Sequence, residues 1–353
     1  MTLKYNTEIT GCIHLHSTYS DGTESIPRIS QYANEAGLDY LMFTDHMSLK
    51  PLIDGHEGWH GKTLVLIGYE INDADDNNHY LAFGLAEEVN RHLPAREYVK
   101  AVHDKGGFGI IAHPDEKRDL LVEHPPYPWT AWNSEHYDGI ELWNGLSEWM
   151  EGLTHLNMLY RFLHPRKSLK NPVRETLNRW DVVNLKRRVV GTGGIDAHAH
   201  RHKIFGLIPV RIFHYKVQFK TIRTHILLDA PWQAGGDLEL HKAAVYNSIK
   251  ETRCFISNYR VGDAKGFRYF ATVDDRIVEM GESMVHQGET ELHIQLPERG
   301  VVKLIKNGQQ VMQETGRQLT FKVLAPGIFR VEVIKNNNAW IFSNHIRFLS
   351  SAP

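Results

Sequence analysis

The chain has 353 residues, 42% of them hydrophobic and 23% charged, which is ordinary globular composition and enough for two domains. Its formal net charge of −2 gives no sign of a polynucleotide groove or a membrane surface, so we expect neither long nucleic acid nor a membrane as partner. Two cysteines cannot build a disulfide framework and the N-terminus has no apolar leader, so we expect a cytoplasmic protein. The 22 histidines are notable, because histidine is the commonest metal ligand.

The first two-thirds of the chain alternates between strand-like and helix-like segments. The stretch GCIHLHSTYSD at 11–21 begins as a strand. Since residues two apart in a strand share a side, we expect His14 and His16 together on one face and Ile13 and Leu15 on the other. A proline near the start and a glycine near the end predict a helix over 24–40 and another over 94–107. A last helix is predicted over 241–254. Apolar strands are predicted over 40–46, 63–71, 79–85, 108–114, 137–144 and 189–200.

Strands that alternate with helices through short loops imply parallel βα units, and their nearly continuous apolar runs indicate that both faces are covered. Several of these strands end in His, Asp or Glu, as at the C-terminal rim of a (β/α) barrel. No G-x-G-x-x-G turn follows any of them, which disfavours a dinucleotide-binding sheet. We therefore predict an α/β barrel.

Beyond about residue 265 the pattern changes to short alternating strands separated by KNG, APG and NNN turns. This predicts a small, immunoglobulin-like all-β sandwich over 266–353, after an α/β domain over 1–265. The predicted sandwich contains no cluster of chemically active residues.

Nine histidine and acidic residues fall at or near the predicted strand ends. Each alone has a structural explanation, because an aspartate before a glycine is a common turn residue and a histidine can cap a strand. Together they favour a multinuclear metal site, since many ligand-type side chains would gather at one rim. The nine are His14, His16, Asp21, His46, Glu70, His79, His113, Asp196 and His198. Asp45, beside His46, is interpreted as a structural or supporting carboxylate.

The motifs HLHSTYSDG, TDH, GYEI, AHP and GIDAH, in this order between residues 14 and 198, resemble those of the PHP (polymerase and histidinol phosphatase) superfamily. GIELWN after AHP, and SNHI near the C-terminus, are similar to the carbamate-hydrolase-like (CehA/McbA-type) branch, although SNHI lacks the proline typical of that branch. The resemblance implies a distorted, TIM-like (β/α)7 barrel holding two or three divalent metal ions. The mixed nitrogen and oxygen ligands suit Mn, Fe or Zn.

The resemblance also distributes the nine ligands among three metal ions. It implies a first set of His14, His16, Glu70 and Asp196, a second set of Glu70 as a bridge with His79 and His113, and a third set of Asp21, His46 and His198.

The formal charge of the predicted metal site limits the reactions that it could catalyse. Three carboxylates and six neutral imidazoles around three divalent ions leave 6 − 3 = +3, and around two ions 4 − 3 = +1. Such an excess lowers the pKa of bridging water toward ~7 and attracts anions. We therefore expect a small-molecule phosphoesterase that uses a metal-bridging hydroxide. The branch resemblance keeps carbamate or carboxylic ester hydrolysis open, and a nuclease for short oligonucleotides and a non-catalytic metal-binding module are further alternatives.

Five more residues are candidates for supporting roles. Glu141 and Asn144, on the strand after His113, are candidates for catalysis and for substrate binding; they could equally orient a ligand or form a strand-end hydrogen-bonded pair. His200 is the candidate for protonating the leaving group, with Arg201 and His202 as candidates for gripping an anion. The alternative for these last three is a loop position without function.

Overall fold

The computed structural model describes residues 2–90, 92–118, 120, 125–204, 208–286 and 288–350, with only the backbone for 202–204 and 208–210. The first strands are β1 (Thr7–Leu15), β2 (Tyr40–His46), β3 (Gly58–His60), β4 (Thr63–Ile71), β5 (Tyr80–Phe83), β6 (Phe108–Ile111), β7 (Gly139–Asn144), β8 (Val190–Ala197), β9 (Arg201–Ile204), β10 (Ile208–Arg211), β11 (Ile222–Leu228) and β12 (Cys254–Asn258).

The helices are α1 (Ile26–Glu35), α2 (Lys50–Ile53), α3 (Ala95–Asp104), α4 (Gly145–Met150), α5 (Met158–Leu163), α6 (Arg174–Asn184), α7 (Tyr215–Gln218) and α8 (Leu238–Lys250), with a 3₁₀ turn at Pro165–Ser168. None of these is both long enough and apolar enough to cross a lipid bilayer. The C-terminal strands are β13 (Arg268–Val273), β14 (Arg276–Glu279), β15 (Ser283–Val285), β16 (Thr290–Lys306), β17 (Gln309–Val323), β18 (Gly327–Lys335), β19 (Asn338–Ser343) and β20 (Ile346–Leu349).

Seven strands close into a barrel. The order around the ring is β1, β2, β4, β5, β6, β7 and β8, and β8 pairs again with β1. All pairs are parallel except those of β5, which is antiparallel to both β4 and β6. The expectation of uniformly parallel βα units is therefore wrong for β5, because a loop without a helix joins it to β4 as in a hairpin. The finer TIM-type (β/α)7 description stays a prediction.

Alternate side chains of the barrel strands enter two hydrophobic clusters. In β2, Leu41 and Phe43 pack in the cluster that contains Ile29 of α1, whereas Tyr40 and Met42 pack in the cluster that contains α8. Both faces of the strands are therefore covered, as their apolar sequences predict.

A bulge at His14 changes the alternation in β1. The register shifts between Ile13 and Leu15 against both neighbouring strands, and His14 has a φ of 69°. Ile13 consequently packs in one hydrophobic cluster and Leu15 in the other, so the expectation that they share a face is wrong. The imidazoles of His14 and His16 nevertheless lie side by side, with ring centroids 5.2 Å apart.

Most of a third hydrophobic cluster comes from the C-terminal strands, including Phe329, Val331, Trp340 and Phe348, and Leu227 of β11 and Phe255 of β12 join it. The C-terminal strands are also hydrogen-bonded to the earlier part of the chain, because β19 pairs antiparallel with β12 and β12 with β11, which pairs with β1. The sandwich description and the domain boundary at residue 265 stay predictions.

Side chains from the C-terminal strands also bind the barrel. Arg330 of β18 is buried and forms a two-pronged ion pair with Asp181 of α6, with Nε 2.7 Å from Oδ1 and Nη2 2.8 Å from Oδ2. Asn344, between β19 and β20, accepts a hydrogen bond from the N–H of Gly191 (2.8 Å) and donates one to its carbonyl (2.9 Å). Gly191 belongs to β8, so the end of the chain helps to hold a barrel strand that contributes to the site described next.

Candidate metal centre

One rim of the barrel brings the nine predicted ligands together. They come from the C-terminal ends of β1, β2, β4, β6 and β8, the start of β5 and the loop after β1: His14, His16, Asp21, His46, Glu70, His79, His113, Asp196 and His198. Seven are buried; His46 is half-buried and Asp21 is exposed. Side chains distant in sequence thus converge at one place.

Two buried carboxylates occupy the middle of the cluster. Oε2 of Glu70 lies 3.0 Å from Nε2 of His14, 3.2 Å from Nε2 of His16 and 3.6 Å from Nδ1 of His46. Oδ1 of Asp196 lies 3.4 Å from Nε2 of His14 and 3.5 Å from Nε2 of His16. His14 and His16 therefore face both carboxylates at once.

The other oxygen of Glu70 faces a second pair of histidines. Oε1 lies 2.6 Å from Nδ1 of His79 and 3.4 Å from Nε2 of His113. His79 reaches this point because β5 runs antiparallel to β4, which puts the start of β5 at the same rim as the end of β4. Glu70 thus lies between two sets of imidazoles, as a bridging carboxylate would.

Asp21 is the centre of a third, more exposed group. Its Oδ1 lies 3.2 Å from Nε2 of His198, and 3.8 Å from both Nδ1 of His16 and Nε2 of His46. The ring of His16 stacks on that of His198, with centroids 4.0 Å apart. His16 therefore lies between the central carboxylates and Asp21.

Four overlapping groups have all their ligand atoms within 4.8 Å of one another: His16–Asp21–His46–His198, His14–His16–Glu70, His14–His113–Asp196 and His46–Glu70–His79. These groups place His16 with Asp21, and His46 with Glu70, and so differ in detail from the three sets that the resemblance implies. Both ring nitrogens of His16 and Nδ1 of His113 are buried without a hydrogen-bond partner in the described part of the chain. Buried polar atoms without partners are costly, and a metal ion would bind such nitrogens. The residues present therefore fit divalent metal ions with nitrogen and oxygen ligands.

The charges of the cluster are strongly coupled. Burial would raise the pKa of Glu70, but the neighbouring imidazoles, His14 foremost, hold it well below its ordinary value. Burial would lower the pKa of His16, but the carboxylates of Asp196 and Glu70 raise it to about 9. Without a bound cation, a proton on His16 would thus compensate part of the buried negative charge. Metal ions that take these places would displace protons, so metal affinity should rise with pH.

The backbone is strained at three of the predicted ligands. His14, His113 and Asp196 have φ values of 69°, 26° and 51°, a region that residues other than glycine rarely adopt. Such strain persists only where the surrounding structure enforces it, and it is concentrated at functional sites.

Glu141 and Asn144 lie behind the cluster. Nδ1 of His14 donates to Oε1 of Glu141 at 3.0 Å, and the N–H of His113 donates to Oε2 at 2.9 Å. Asn144 donates to Oε2 of Glu141 at 2.8 Å, and its Nδ2 lies 3.3 Å from Oδ2 of Asp196. Both residues are buried, and between them they contact three of the predicted ligands, His14, His113 and Asp196.

Asp45 holds the loop that leads to Asp21. It accepts hydrogen bonds from the N–H and the hydroxyl of Ser17, at 2.7 and 2.8 Å, and from the hydroxyl of Ser20 at 2.7 Å. These contacts fix the turn after β1, which agrees with a supporting position for this carboxylate.

A cleft of about 790 Å³ opens onto the cluster. Of the supporting residues predicted from sequence, His200 and Arg201 line it; the ring of His200 stacks on that of His198 at 4.8 Å between centroids. The side chain of His202 lies outside the described residues. Six other residues of the cleft wall were not predicted from sequence: Ser20, Asn72, Asp76, Arg118, Tyr127 and Leu146.

Arg118 and Tyr127 form one side of this cleft. The Arg118 guanidinium lies 5.4 Å from the centroid of the Tyr127 ring, which stacks on His79 at 5.2 Å, and Arg118 also pairs with Glu116. The only sequence signal is their position in the loop after the AHP motif, because the direction of a loop side chain cannot be derived from sequence pattern.

Residues 13–172 match the PHP domain family. This range includes the first seven of the nine predicted ligands, whereas Asp196 and His198 lie beyond it. The family match thus agrees with the resemblance to PHP proteins, and it does not distinguish the CehA/McbA branch. No curated protein showed significant similarity to the sequence.

Three solved structures are similar to the chain. The first is a two-domain protein containing a predicted PHP-like metal-dependent phosphoesterase from Bacteroides vulgatus, with 13% identity over 98% of this chain and 97% of that chain, and a TM-score of 0.47. The second is a candidate metal-dependent phosphoesterase from Bifidobacterium adolescentis, with 18% identity over 53% and 87%, and a TM-score of 0.33. The third is an amidohydrolase from Chromobacterium violaceum with bound sulfate and no metal, with 14% identity over 53% and 87%, and a TM-score of 0.32.

Proposed function

We propose that the protein is a metal-dependent hydrolase of small phosphoesters. The observation that supports this most is the convergence of three carboxylates and six imidazoles into groups whose ligand atoms lie within 4.8 Å of one another. Two of these carboxylates are buried, which would be costly without compensating positive charge. The match of residues 13–172 to the PHP domain family supports the same conclusion.

Divalent metal ions held by these ligands would supply a water of lowered pKa and would polarise a phosphoryl oxygen. The chain's own contribution is orientation. Glu141 fixes the ring of His14 through Nδ1, which leaves Nε2 directed at Glu70 and Asp196, and Asn144 connects Glu141 with Asp196. We propose that both are positioning residues rather than groups that contact substrate.

The cleft favours an anionic substrate over a neutral one. Arg118 and Arg201 both line it, and two guanidinium groups suit the oxygens of a phosphate better than a neutral carbamate. His200, at the same wall, is proposed to protonate the leaving-group oxygen. A carbamate or carboxylic ester hydrolase is the second candidate, and the observation that favours it is the GIELWN motif, which includes Glu141 and Asn144.

The test is a matched substrate panel. Protein reconstituted with Mn, Fe or Zn is assayed on p-nitrophenyl phosphate, an alkyl phosphate, a 5′-phosphorylated dinucleotide, and the p-nitrophenyl carbamate and acetate. We expect turnover of the phosphate monoesters and loss of it in Asp196→Asn. His200→Gln should slow hydrolysis of the alkyl phosphate more than that of p-nitrophenyl phosphate, because p-nitrophenolate leaves readily without a proton.

The other possible results of this substrate panel would each indicate a different function. Turnover of the carbamate or acetate alone would establish the second candidate, and preference for the dinucleotide would indicate a nuclease of short oligonucleotides. No turnover with any metal, in protein shown to bind metal, would overturn the hydrolase proposal in favour of a non-catalytic metal-binding module.

A further inference from the structure

Residues 152–174 differ in charge from the rest of the chain. No acidic residue lies between Glu151 and Glu175, but the segment contains five basic ones: Arg161, Arg166, Lys167, Lys170 and Arg174. The net charge of −2 for the whole chain conceals this local concentration of positive charge.

The same segment exposes large apolar side chains. Leu156 is 98% exposed, Leu159 and Leu163 are each 62% exposed, and Tyr160 is 55% exposed. Their spacing of i, i+3, i+4 and i+7 places them on one side of α5 and the turn before it. We call these four residues the exposed apolar face. Contiguous apolar surface of this kind usually marks an interaction site.

A small core supports this face from below. Trp149, Leu153, Leu169 and Phe213 form a buried cluster, and Nε1 of Trp149 donates a hydrogen bond to the carbonyl of Arg161 at 3.2 Å. Arg161 in turn donates to the carbonyl of Trp149. Two hydrogen bonds therefore join α5, which carries most of the exposed apolar face, to Trp149 of this buried cluster.

Lys167 borders the face, and Arg166 and Lys170 are close to it in the sequence. The Lys167 ammonium lies 6.0 Å from the centroid of the Tyr160 ring, and in the described part of the chain Arg166, Lys167 and Lys170 form no ion pair. Arg174, by contrast, pairs with Glu332. A projecting apolar face beside such cations complements an anionic bilayer, because apolar side chains enter the headgroup boundary while the cations meet lipid phosphates.

We propose that the exposed apolar face, with Arg166, Lys167 and Lys170, docks the protein on anionic membrane surfaces. The proposal concerns binding alone and does not depend on the proposed hydrolase activity.

The test is sedimentation of the full chain with lipid vesicles. We expect binding to vesicles of equal parts phosphatidylglycerol and phosphatidylcholine, little binding to phosphatidylcholine alone, and weakening by salt. The variants Leu159→Ser with Leu163→Ser, and Lys167→Glu with Lys170→Glu, should each bind about tenfold more weakly or worse. The matched controls are Leu240→Ser, at a leucine 64% exposed on α8, and Lys62→Glu with Lys220→Glu; both should bind like the wild type.

Two results would overturn the proposal. One is equal vesicle binding by wild type and both face variants. The other is self-association in sedimentation velocity without lipid that Leu159→Ser with Leu163→Ser abolishes, which would show that a second copy covers the face. Circular dichroism of each variant checks that the fold is kept, so that lost binding is attributable to the face.

Discussion

The Nδ1–H of His14 donates to Oε1 of Glu141 at 3.0 Å, and this bond fixes which ring nitrogen of His14 faces the candidate metal centre. The Glu141 carboxylate accepts at Nδ1, so Nε2 is the nitrogen of His14 that faces the cluster, 3.0 Å from Oε2 of Glu70 and 3.4 Å from Oδ1 of Asp196. A metal ion that displaced the proton shared with Glu70 would bind at this nitrogen. A carboxylate behind a histidine in this way raises the basicity of the ring and holds its orientation.

Replacement of this carboxylate should weaken metal binding. In Glu141→Gln the shape is nearly kept but the negative charge is lost, so we expect metal affinity to fall about 10- to 100-fold. Titration against a competing chelator measures this. The control is Glu279→Gln, another buried carboxylate, which accepts from the backbone of Lys4 and Tyr5 far from the cluster. Equal affinity in both variants would contradict the assigned role.

Gly194 should tolerate no side chain, because a side chain there would displace Glu141 from its hydrogen bond with His14. A Cβ there would lie 1.7 Å from Oε1 of Glu141 and 3.0 Å from Cβ of His14, so Glu141 would have to move. We expect Gly194→Ala to lose metal affinity and about 1–3 kcal/mol of unfolding free energy. Gly145→Ala is the control, because its Cβ would meet nothing closer than 3.5 Å. Titration with a competing chelator measures the metal affinity of both variants, and urea denaturation measures their free energy of unfolding.

The ion pair between Arg330 and Asp181 should be important for stability. Arg330→Met leaves the Asp181 carboxylate buried without its main partner, which typically costs about 3–5 kcal/mol. The double variant Arg330→Met with Asp181→Leu should recover part of this loss, because no unpaired carboxylate remains. Urea denaturation of the single and double variants gives the coupling; strictly additive losses would show that the two residues stabilise the fold independently.

His345 should make stability depend on pH. Its Nε2–H donates to Oδ1 of Asp181 at 2.9 Å, and burial lowers its pKa from 6.5 to about 4. Because the unfolded chain binds this proton more readily, its contribution to stability is present above pH 6.5 and is lost as pH falls toward 4. A difference of this size corresponds to about 3 kcal/mol. Urea denaturation from pH 7 to 4 measures it, and in His345→Asn this part of the pH dependence should disappear. The same slope in both proteins would contradict the assignment.

Much of the site could be anticipated because barrel strands deliver their last residues to one rim. The ends of β2 and β4, at His46 and Glu70, follow from apolar runs that stop at a ligand-type side chain. The approach of His79 to Glu70 depends on the antiparallel direction of β5, which is a long-range property that the run HYLAFGL does not encode.

Other features could not be derived from pattern. The bulge at His14 breaks the two-residue alternation on which the first interpretation of His14 and His16 rested. The orienting role of Glu141 and the inward direction of Arg118 depend on packing between distant loops and strands. Whole-chain charge also hid the basic segment around α5, since a sum over 353 residues does not resolve a short region.

The two hydrogen bonds between Asn344 and Gly191 join residues 153 positions apart. Gly191 lies in β8, the strand that contains Asp196. During synthesis Gly191 leaves the ribosome well before Asn344, so the strand folds without these two bonds until the later segment has been made. The barrel strand that carries Asp196 therefore receives these partners only after the C-terminal strands around Asn344 have been synthesised.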